Sequence, residues 1–263
     1  MWHNFCYEDC VNLSLYENAS ALRGLEQYQN VVANNIAASH VAGFKKVAVS
    51  FEAVEGGELA RSTHDRLRNE MPGSFPVMKN QIDFVEGEMR ETNNPQDLAL
   101  RGIGFFALMN QNGDSVYTRD GQFYTNAEGV MVNSMGHEFS DNGGNNIQTI
   151  PGGGPITIDK EGQVFQNDQV VAQIGVFSFD DPLNDLQKVG GGFVPKEDNI
   201  QPVEADPENF TIMQGYIETS NVSAIEEMIS LIEVSRAHEA NQKMIQTFDQ
   251  NIGKAIGTLG QTS

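Results

Sequence analysis

Two cysteines near the N-terminus are the first side chains whose type and spacing could do chemistry. Cys6 and Cys10 stand four residues apart, so on a helix both thiols would lie on one face. That spacing allows at best a strained disulfide. A metal site would need further ligands, and only His3, Glu8 and Asp9 are close in the sequence. We therefore expect incidental thiols rather than a metal centre.

The other groups that could serve catalysis are scattered along the chain. Acidic pairs such as Asp180-Asp181, or Asp159 with Glu161, could serve a glycosidase, but nothing in the sequence places two carboxylates across a cleft. Gly152-Gly153-Gly154 lacks the Lys-Ser/Thr pair of a phosphate-binding loop and predicts a turn. The histidines have neither an adjacent nucleophile nor metal-ligand spacing: His3, His40, His64, His137 and His238. We expect no enzyme activity, no catalytic residue, no cofactor and no metal.

Charge and hydropathy exclude further classes of partner. The chain has 36 acidic and 16 basic residues, a formal net charge of -20. Nucleic acid and anionic lipid both need a cationic face, so we expect neither nucleic-acid binding nor membrane insertion. No apolar run reaches the roughly 18 residues of a membrane helix. A basic region followed by an apolar run is also missing near the N-terminus, so we expect any export to proceed without a cleavable signal peptide.

Helical patterning is confined to the two ends of the chain. One stretch runs from about Val11 to Ser39 and is followed by Gly43, which can adopt a positive φ where the chain reverses. The other runs from Asn221 to Leu259, and Ser223 with Glu226 has the form of a capping box at its start. Such helices must bury their apolar stripes against each other or against the same helices in neighbouring molecules.

The apolar stripe of the second helix is not straight. At 100° per residue it drifts around the helix between Ile225 and Leu259, so different parts of the helix face different partners or the helix supercoils. In the first helix, the side chains of Asn34 and Asn35 could bond backbone groups near the helix end.

The residues between the helices predict strands and turns. Residues 56–80 contain Gly56-Gly57 and Pro72-Gly73 among mixed charges and predict a flexible connector with little core of its own. From Gly87 to about Phe179, short apolar runs predict a β meander. Its hairpin turns are expected at Asn112-Gly113, Asp120-Gly121 and Glu128-Gly129. After Pro182 the acidic stretch to Pro207 predicts surface loops that lead to the last helix.

Several blocks of the sequence resemble one known family. The first is Ala33-Asn34-Asn35-Ile36-Ala37 followed by Gly43-Phe44-Lys45-Lys46. The others are Gly87-x-Met89-x-x-Thr92-x-Asn94-Pro95-x-Asp97-Leu98-Ala99-Leu100-x-Gly102-x-Gly104-Phe105-Phe106, Tyr117-Thr118-Arg119-x-Gly121-x-Phe123, Gln214-Gly215-Tyr216-Ile217-Glu218-Thr219-Ser220-Asn221-Val222, Glu226-Glu227-Met228 and Arg236-Ala237-His238-Glu239-Ala240-Asn241. Together these blocks resemble the signatures of the bacterial flagellar basal-body rod and hook proteins, in the family's order. Ala38, Val41 and His238 depart from it, where the family usually has Asn, Thr and Tyr.

The resemblance implies a fold and a division of the chain. It implies an α+β protein: a mainly-β central domain, with the N- and C-terminal helices pairing as a coiled-coil-like layer. The expected parts are an N-terminal helix of the rod core at 1–45, an extended connector at 46–86, a β-rich domain at 87–215 and a C-terminal helix of the rod core at 216–263. We predict that subunit packing uses Leu15, Leu22, Leu25, Val32, Asn34, Asn35, Ile36, Gly43, Phe44, Asn221, Val222, Ile225, Ile229, Ile232, Ala240, Met244 and Phe248.

The resemblance also implies a function. The chain would be a non-enzymatic subunit of the flagellar rod, located in the basal body and the periplasmic space. Its partners would be other rod subunits, copies of itself packed head to tail in a helical assembly, and the type III flagellar export apparatus. The short segment between Asp180 and Gln214 resembles proximal-rod more than distal-rod subunits. A distal-rod or hook subunit remains an alternative, and an extracellular β-domain hydrolase or glycan-binding module remains a remote one.

Overall fold

Two long helices come from the two ends of the chain, and short strands fill the sequence between them. A computed structural model describes residues 5–55, 74–197 and 199–260, with side chains described for 18–52, 78–197, 199–254 and 257. The chain divides into two compact units. The helical unit comprises Met1–Ala37, Val47–Gln81 and Ser223–Ser263, and the β unit comprises Ala38–Lys46 and Ile82–Val222. This arrangement confirms the predicted α+β class with its mainly-β centre.

The helical unit contains two helices and a two-stranded sheet. Helix α1 spans Phe5–Ala37 and strand β1 spans Val47–Glu55, which pairs with β2, Ser74–Ile82. The last helix, numbered α3, spans Ala224–Gly260 and begins directly after the predicted cap Ser223. Residues 74–80, predicted as connector, therefore belong to a strand, whereas residues 56–73 lie outside the described part of the chain.

The β unit is built from short antiparallel strands. They are β3 Met89–Glu91, β4 Asp97–Gly102, β5 Phe105–Met109, β6 Ser115–Thr118, β7 Gly121–Gln122, β8 Tyr124–Thr125, β9 Met131–Val132, β10 Glu138–Phe139, β11 Ile156–Ile158, β12 Gln163–Gln166, β13 Gln169–Gln173, β14 Val176–Ser178, β15 Leu186–Val189, β16 Gly192–Pro195, β17 Val203–Glu204, β18 Phe210–Gln214 and β19 Tyr216–Glu218. The largest sheet has the order β15-β16-β6-β5-β10-β9-β8, with β14 pairing β5 and β17. Smaller sheets are β11-β12-β13, β18-β4-β7 and β19-β3.

A recurring turn connects several of these strands. Asn110 begins one example: its side-chain Oδ1 accepts hydrogen bonds from the backbone N–H groups of Asn112 and Asp114, and Gly113 follows at φ +88°. The same Asn/Asp-x-x-Gly turn recurs from Asn126, Asn133, Asp141 and Asp159. The short polar side chain imitates a backbone turn, and glycine takes the positive φ. The hairpins predicted at Asn112-Gly113 and Glu128-Gly129 are thus confirmed. The hairpin predicted at Asp120-Gly121 was wrong, because β6 pairs with β5 and β16 whereas β7 pairs with β4.

Strand β5 separates two apolar cores because its side chains alternate between faces. Phe106 packs into the main core, whose other large members include Leu98, Leu100, Leu108, Phe123, Met131, Phe139, Ile147 and Ile212. Phe105 packs into a second, aromatic core with Tyr117, Phe179, Leu186 and Phe193. Its rings meet edge to face, the geometry that aromatic quadrupoles favour.

The prediction of surface loops after Pro182 was wrong for part of that stretch. A short helix, α2, spans Pro182–Asp185, and the hairpin β15–β16 follows it. Leu186 and Phe193 of this hairpin are almost fully buried in the aromatic core. Gly190-Gly191-Gly192, which indicated a loop, instead forms the hairpin turn and the start of β16.

Candidate assembly surface

Helices α1 and α3 pack against each other and are joined by a polar contact near one end. Asn35 in the last turns of α1 is almost fully buried, and its Nδ2 donates to the Glu227 carboxylate at 3.1 Å and to the Val47 carbonyl at 3.0 Å. Its Oδ1 accepts from the Val47 N–H at 3.1 Å. Because Glu227 lies in the first turn of α3, the helices run antiparallel. The predicted backbone bonding of Asn35 is confirmed.

The buried face of α3 repeats every three and four residues. We call this row the inner row; it consists of Glu227, Leu231, Val234, His238, Asn241, Ile245, Phe248 and Ile252, all buried or half-buried. A matching row on α1 consists of Ala21, Leu25, Tyr28, Val32 and Asn35. Alternating steps of three and four residues make a coiled-coil seam. The predicted coiled-coil-like pairing of the terminal helices is therefore confirmed.

A second apolar row of α3 faces away from the inner row. Ile225, Ile229 and Ile232 follow the same spacing and are 73%, 53% and 54% exposed. Met228, between them, is 51% exposed. We call Ile225, Met228, Ile229 and Ile232 the outer row. The predicted apolar stripe of this helix drifts because its first residues belong to the outer row, whereas later residues such as Phe248 belong to the inner row.

The remaining predicted packing residues fall in different places. On α1, Leu22 and Ile36 are half-buried and Asn34 is exposed, whereas the Leu15 side chain lies outside the described residues. On α3, Ala240 and Met244 are exposed. The others belong to the β unit: Gly43, Phe44, Asn221 and Val222.

Three of the family-like sequence blocks meet inside the β unit at an ion cluster, which we call the buried cluster: Lys45, Arg119 and Glu218. Lys45 Nζ lies 2.6 Å from Glu218 Oε1, and Arg119 Nη1 lies 3.4 Å from Glu218 Oε2. These side chains are nearly inaccessible, with side-chain exposures of 1%, 6% and 0%. Burial lowers the pKa of Lys45 and of Arg119, and the Glu218 carboxylate opposes both shifts.

Backbone groups add further hydrogen bonds to the buried cluster. Arg119 donates to the carbonyls of Leu100 at 2.9 Å and Gly102 at 2.7 Å, and Lys45 donates to that of Val85 at 2.8 Å. Glu218 also accepts from the Gly87 N–H at 3.0 Å. Buried charges are tolerated only when paired and hydrogen-bonded in this way, so the cluster holds distant segments in one arrangement.

Gly43 and Asn221 close the same region. The Gly43 N–H donates to the Glu218 carbonyl at 2.8 Å, and Gly43 has φ +66°, as predicted. The Asn221 Oδ1 accepts from the Lys46 N–H at 2.7 Å, while its Nδ2 donates to the carbonyls of Asp83 and Val85. Gly43 and Asn221 therefore join three segments of the β unit by hydrogen bonds: residues 43–46, 83–85 and 218–221.

Lys188 of β15 covers the segment that follows Gly43. Its Nζ lies 3.1 Å from the centroid of the Phe44 ring and donates to the Lys45 carbonyl at 3.2 Å. Burial lowers the pKa of Lys188 to about 8. A cation over an aromatic face is attracted to the ring, so this contact ties the hairpin β15–β16 to the Gly43–Lys46 segment.

Sequence reasoning missed the roles of Lys45, Arg119, Glu218 and Glu227. All four stand within the family-like blocks, but charged residues are usually exposed, and nothing local indicates that these are buried.

Among the described residues, no group of His, Cys, Asp and Glu could hold a metal ion, and no helix is long and apolar enough to cross a membrane. The Gly152-Gly153-Gly154 turn borders a cavity of about 270 Å³ beside Gln166, whose amide is bonded to Ile150 and Gly154.

Paired end helices with an exposed apolar row, in a chain that also contains a β unit rich in turns, are typical of structural assembly proteins. Residues 213–258 match the family described as "Flagellar basal body rod FlgEFG protein C-terminal", and residues 99–166 match "Flagellar hook protein FlgE/F/G D1 domain". The flagellar basal-body rod protein FlgF of Mesorhizobium japonicum is 35% identical over 95% of this chain and 99% of its own length. FlgF of Caulobacter vibrioides is 34% identical over 94% and 98%, and FlgG of Borreliella burgdorferi is 29% identical over 92% and 97%.

The chain belongs to the flagellar basal-body rod protein family. It is a FlgF-like, non-enzymatic structural subunit of the rod, and membership of this family implies assembly with other rod subunits.

Proposed function

We propose that the chain is built into the rod through the outer row of α3, which packs on helices of neighbouring subunits in a head-to-tail helical assembly. The observation that carries this proposal is the exposure of four large apolar side chains on one helix face. A group of exposed apolar side chains on one face marks a protein–protein interaction site. Identical heterologous contacts repeated around an axis generate a helical tube.

Ile229→Asp tests this proposal. A carboxylate at a packed helix face must be buried without a partner, so incorporation into basal bodies is expected to fall at least tenfold, with loss of swimming. Ile229 is exposed in the monomer, so the free energy of unfolding should change by no more than about 0.5 kcal/mol. Incorporation is measured by immunoblotting of purified basal bodies, and stability by urea unfolding.

Ile103→Asp is the matched control. Ile103 is 63% exposed but belongs to the β unit, so the same chemical change occurs at a similar exposure on another surface. We expect this variant to assemble and swim. Normal incorporation of Ile229→Asp, or an equal defect in both variants, would contradict a role for the outer row.

We propose further that the subunit occupies the proximal part of the rod and reaches it through the type III flagellar export apparatus. Two observations support the proximal position. FlgF of Mesorhizobium japonicum and of Caulobacter vibrioides are 35% and 34% identical to this chain, whereas FlgF of Rhizobium meliloti and FlgG of Borreliella burgdorferi are both 29% identical. The segment from Asp180 to Gln214 is also short. A density map of basal bodies that carry a tagged chain should place the tag beside the export apparatus. Density next to the hook would favour the distal alternative.

A further inference from the structure

The outermost rows of α1 and α3 differ in a complementary way. On α3, the positions opposite the inner row carry isoleucines at the start and charges afterwards: Ile225, Ile229, Ile232, Arg236 and Glu239. On α1, the corresponding row carries charges first and small residues at the end: Arg23, Glu26, Asn30, Ala33 and Ala37. All of these residues are exposed. The start of α3 therefore presents large apolar side chains, and the end of α1 presents small ones.

The inner rows set the register in which such helices meet. Asn35 of α1 lies opposite Glu227 of α3. Because the helices are antiparallel, a step forward along one helix corresponds to an equal step back along the other, so this one pair fixes which residues face each other along both helices. When the outermost row of α3 in one molecule meets the outermost row of α1 in another molecule, this register places Ile225 opposite Ala37 and Ile229 opposite Ala33. Farther along, it places Arg236 opposite Glu26 and Glu239 opposite Arg23. Both charge pairs are then of opposite sign.

These pairs can form only between molecules. Within one chain the outer rows lie on the sides of α1 and α3 that face away from each other. Among the described residues, none of the four charged side chains takes part in an ion pair. A parallel arrangement with Ile229 opposite Ala33 would carry Arg236 past the end of α1 at Ala37, so only the antiparallel arrangement uses both charge pairs.

We propose that the outer row of α3 is covered by the outer face of α1 from a second copy of this chain, antiparallel and in the same register as the pairing within the chain. This proposal rests on the proposed function and names the partner of the outer row. The competing arrangement, α3 against α3, sets acidic surfaces together, since Glu226 and Glu233 are the only exposed charged residues in the first twelve positions of α3. Like charges so placed repel, and the α1 face removes this repulsion.

Site-specific cross-linking tests the partner. In a background with Cys6→Ser and Cys10→Ser, cells produce one chain with Ile229→Cys and a second, differently tagged chain with Ala33→Cys. We expect the mixed disulfide-linked dimer in oxidised, isolated basal bodies to exceed the Ile229→Cys homodimer at least tenfold. Ser115→Cys in the β unit, paired with Ile229→Cys, is the control and should give no dimer.

The outcomes separate this inference from the proposed function. One outcome is that the cysteine variants are missing from basal bodies while the Cys6→Ser, Cys10→Ser parent is incorporated. This result would show that the outer row tolerates no cysteine, and charge-reversal variants would then test both proposals. There, Arg236→Glu should lower incorporation about tenfold, and adding Glu26→Arg to the same chain should restore it. Chains that are incorporated but give only the Ile229→Cys homodimer, give no dimer, or show no rescue would overturn the α1 partner and leave the proposed function standing.

Discussion

Replacing Glu218 by glutamine is expected to lower the free energy of unfolding by about 3–5 kcal/mol, because it leaves Lys45 and Arg119 buried without their shared carboxylate. The amide can still bond to the Gly87 N–H, so the loss reports the charge rather than the space filled. Burial already lowers the pKa of Lys45, and removal of the opposing carboxylate lowers it further. Urea unfolding followed by near-UV circular dichroism measures the effect.

A second ion pair in the same molecule supplies the control. Lys79 and Glu52 meet at 2.6 Å, the distance that separates Lys45 from Glu218, but their side chains are 62% and 51% exposed. Water screens such a pair, so Glu52→Gln should cost at most about 1 kcal/mol. Adding Lys45→Met to Glu218→Gln removes one of the stranded charges and should recover part of the stability. Equal losses from Glu218→Gln and Glu52→Gln would show that burial does not govern this cluster.

The second large effect is expected at Gly43. A β-carbon at this position would lie 2.3 Å from the backbone carbonyl carbon of Arg119 and from the Asp120 nitrogen, so the two segments must separate. Gly43→Ala combines this overlap, at about 1–3 kcal/mol, with the strain of a non-glycine residue at φ +66°, at about 1–2 kcal/mol. Because Arg119 belongs to the buried cluster, the cluster should loosen as well.

Gly113→Ala isolates the backbone strain. Gly113 also has a positive φ, +88°, but a β-carbon at this position would have open space within 4 Å, so only the conformational strain applies. Thermal unfolding of both variants should therefore give a clearly lower midpoint for Gly43→Ala. If the two midpoints fall equally, close approach to Arg119 contributes nothing and glycine is needed at position 43 for its φ alone.

Local patterns predicted much of the fold. The spacing of apolar residues located both long helices, and three of their four ends were predicted to within three residues. The dipeptides at Asn112-Gly113 and Glu128-Gly129 located two hairpins. Both kinds of signal act over a few residues. The hairpin β15–β16 escaped detection since its glycines resemble a loop, and only the burial of Leu186 and Phe193 against distant phenylalanines makes it a strand pair.

The candidate site was less predictable because it depends on long-range contacts. Lys45 and Glu218 are 173 residues apart, so no local pattern could indicate that they pair in the interior. The apolar stripe predicted for α3 combined residues of the inner row and of the outer row. Ile225 and Phe248 are both apolar, so the sequence does not distinguish them, and only the packed structure shows which row α1 covers. Asn35 was recognised as a bonding residue from its type, but its partner Glu227 was not.

The hydrogen bond from Gly43 to Glu218 also changes the entropy of pairing the two ends of the chain. Asn35 and Glu227 are 192 residues apart, and the entropic cost of closing a loop rises with the logarithm of its length. Once the β unit has folded and joined residues 43 and 218, only the connections 36–42 and 219–226 remain to be closed. Shortening a loop about tenfold lowers the closure cost by about 2 kcal/mol. Through the connectivity of the chain alone, a folded β unit therefore lowers the entropic cost of pairing the two helices.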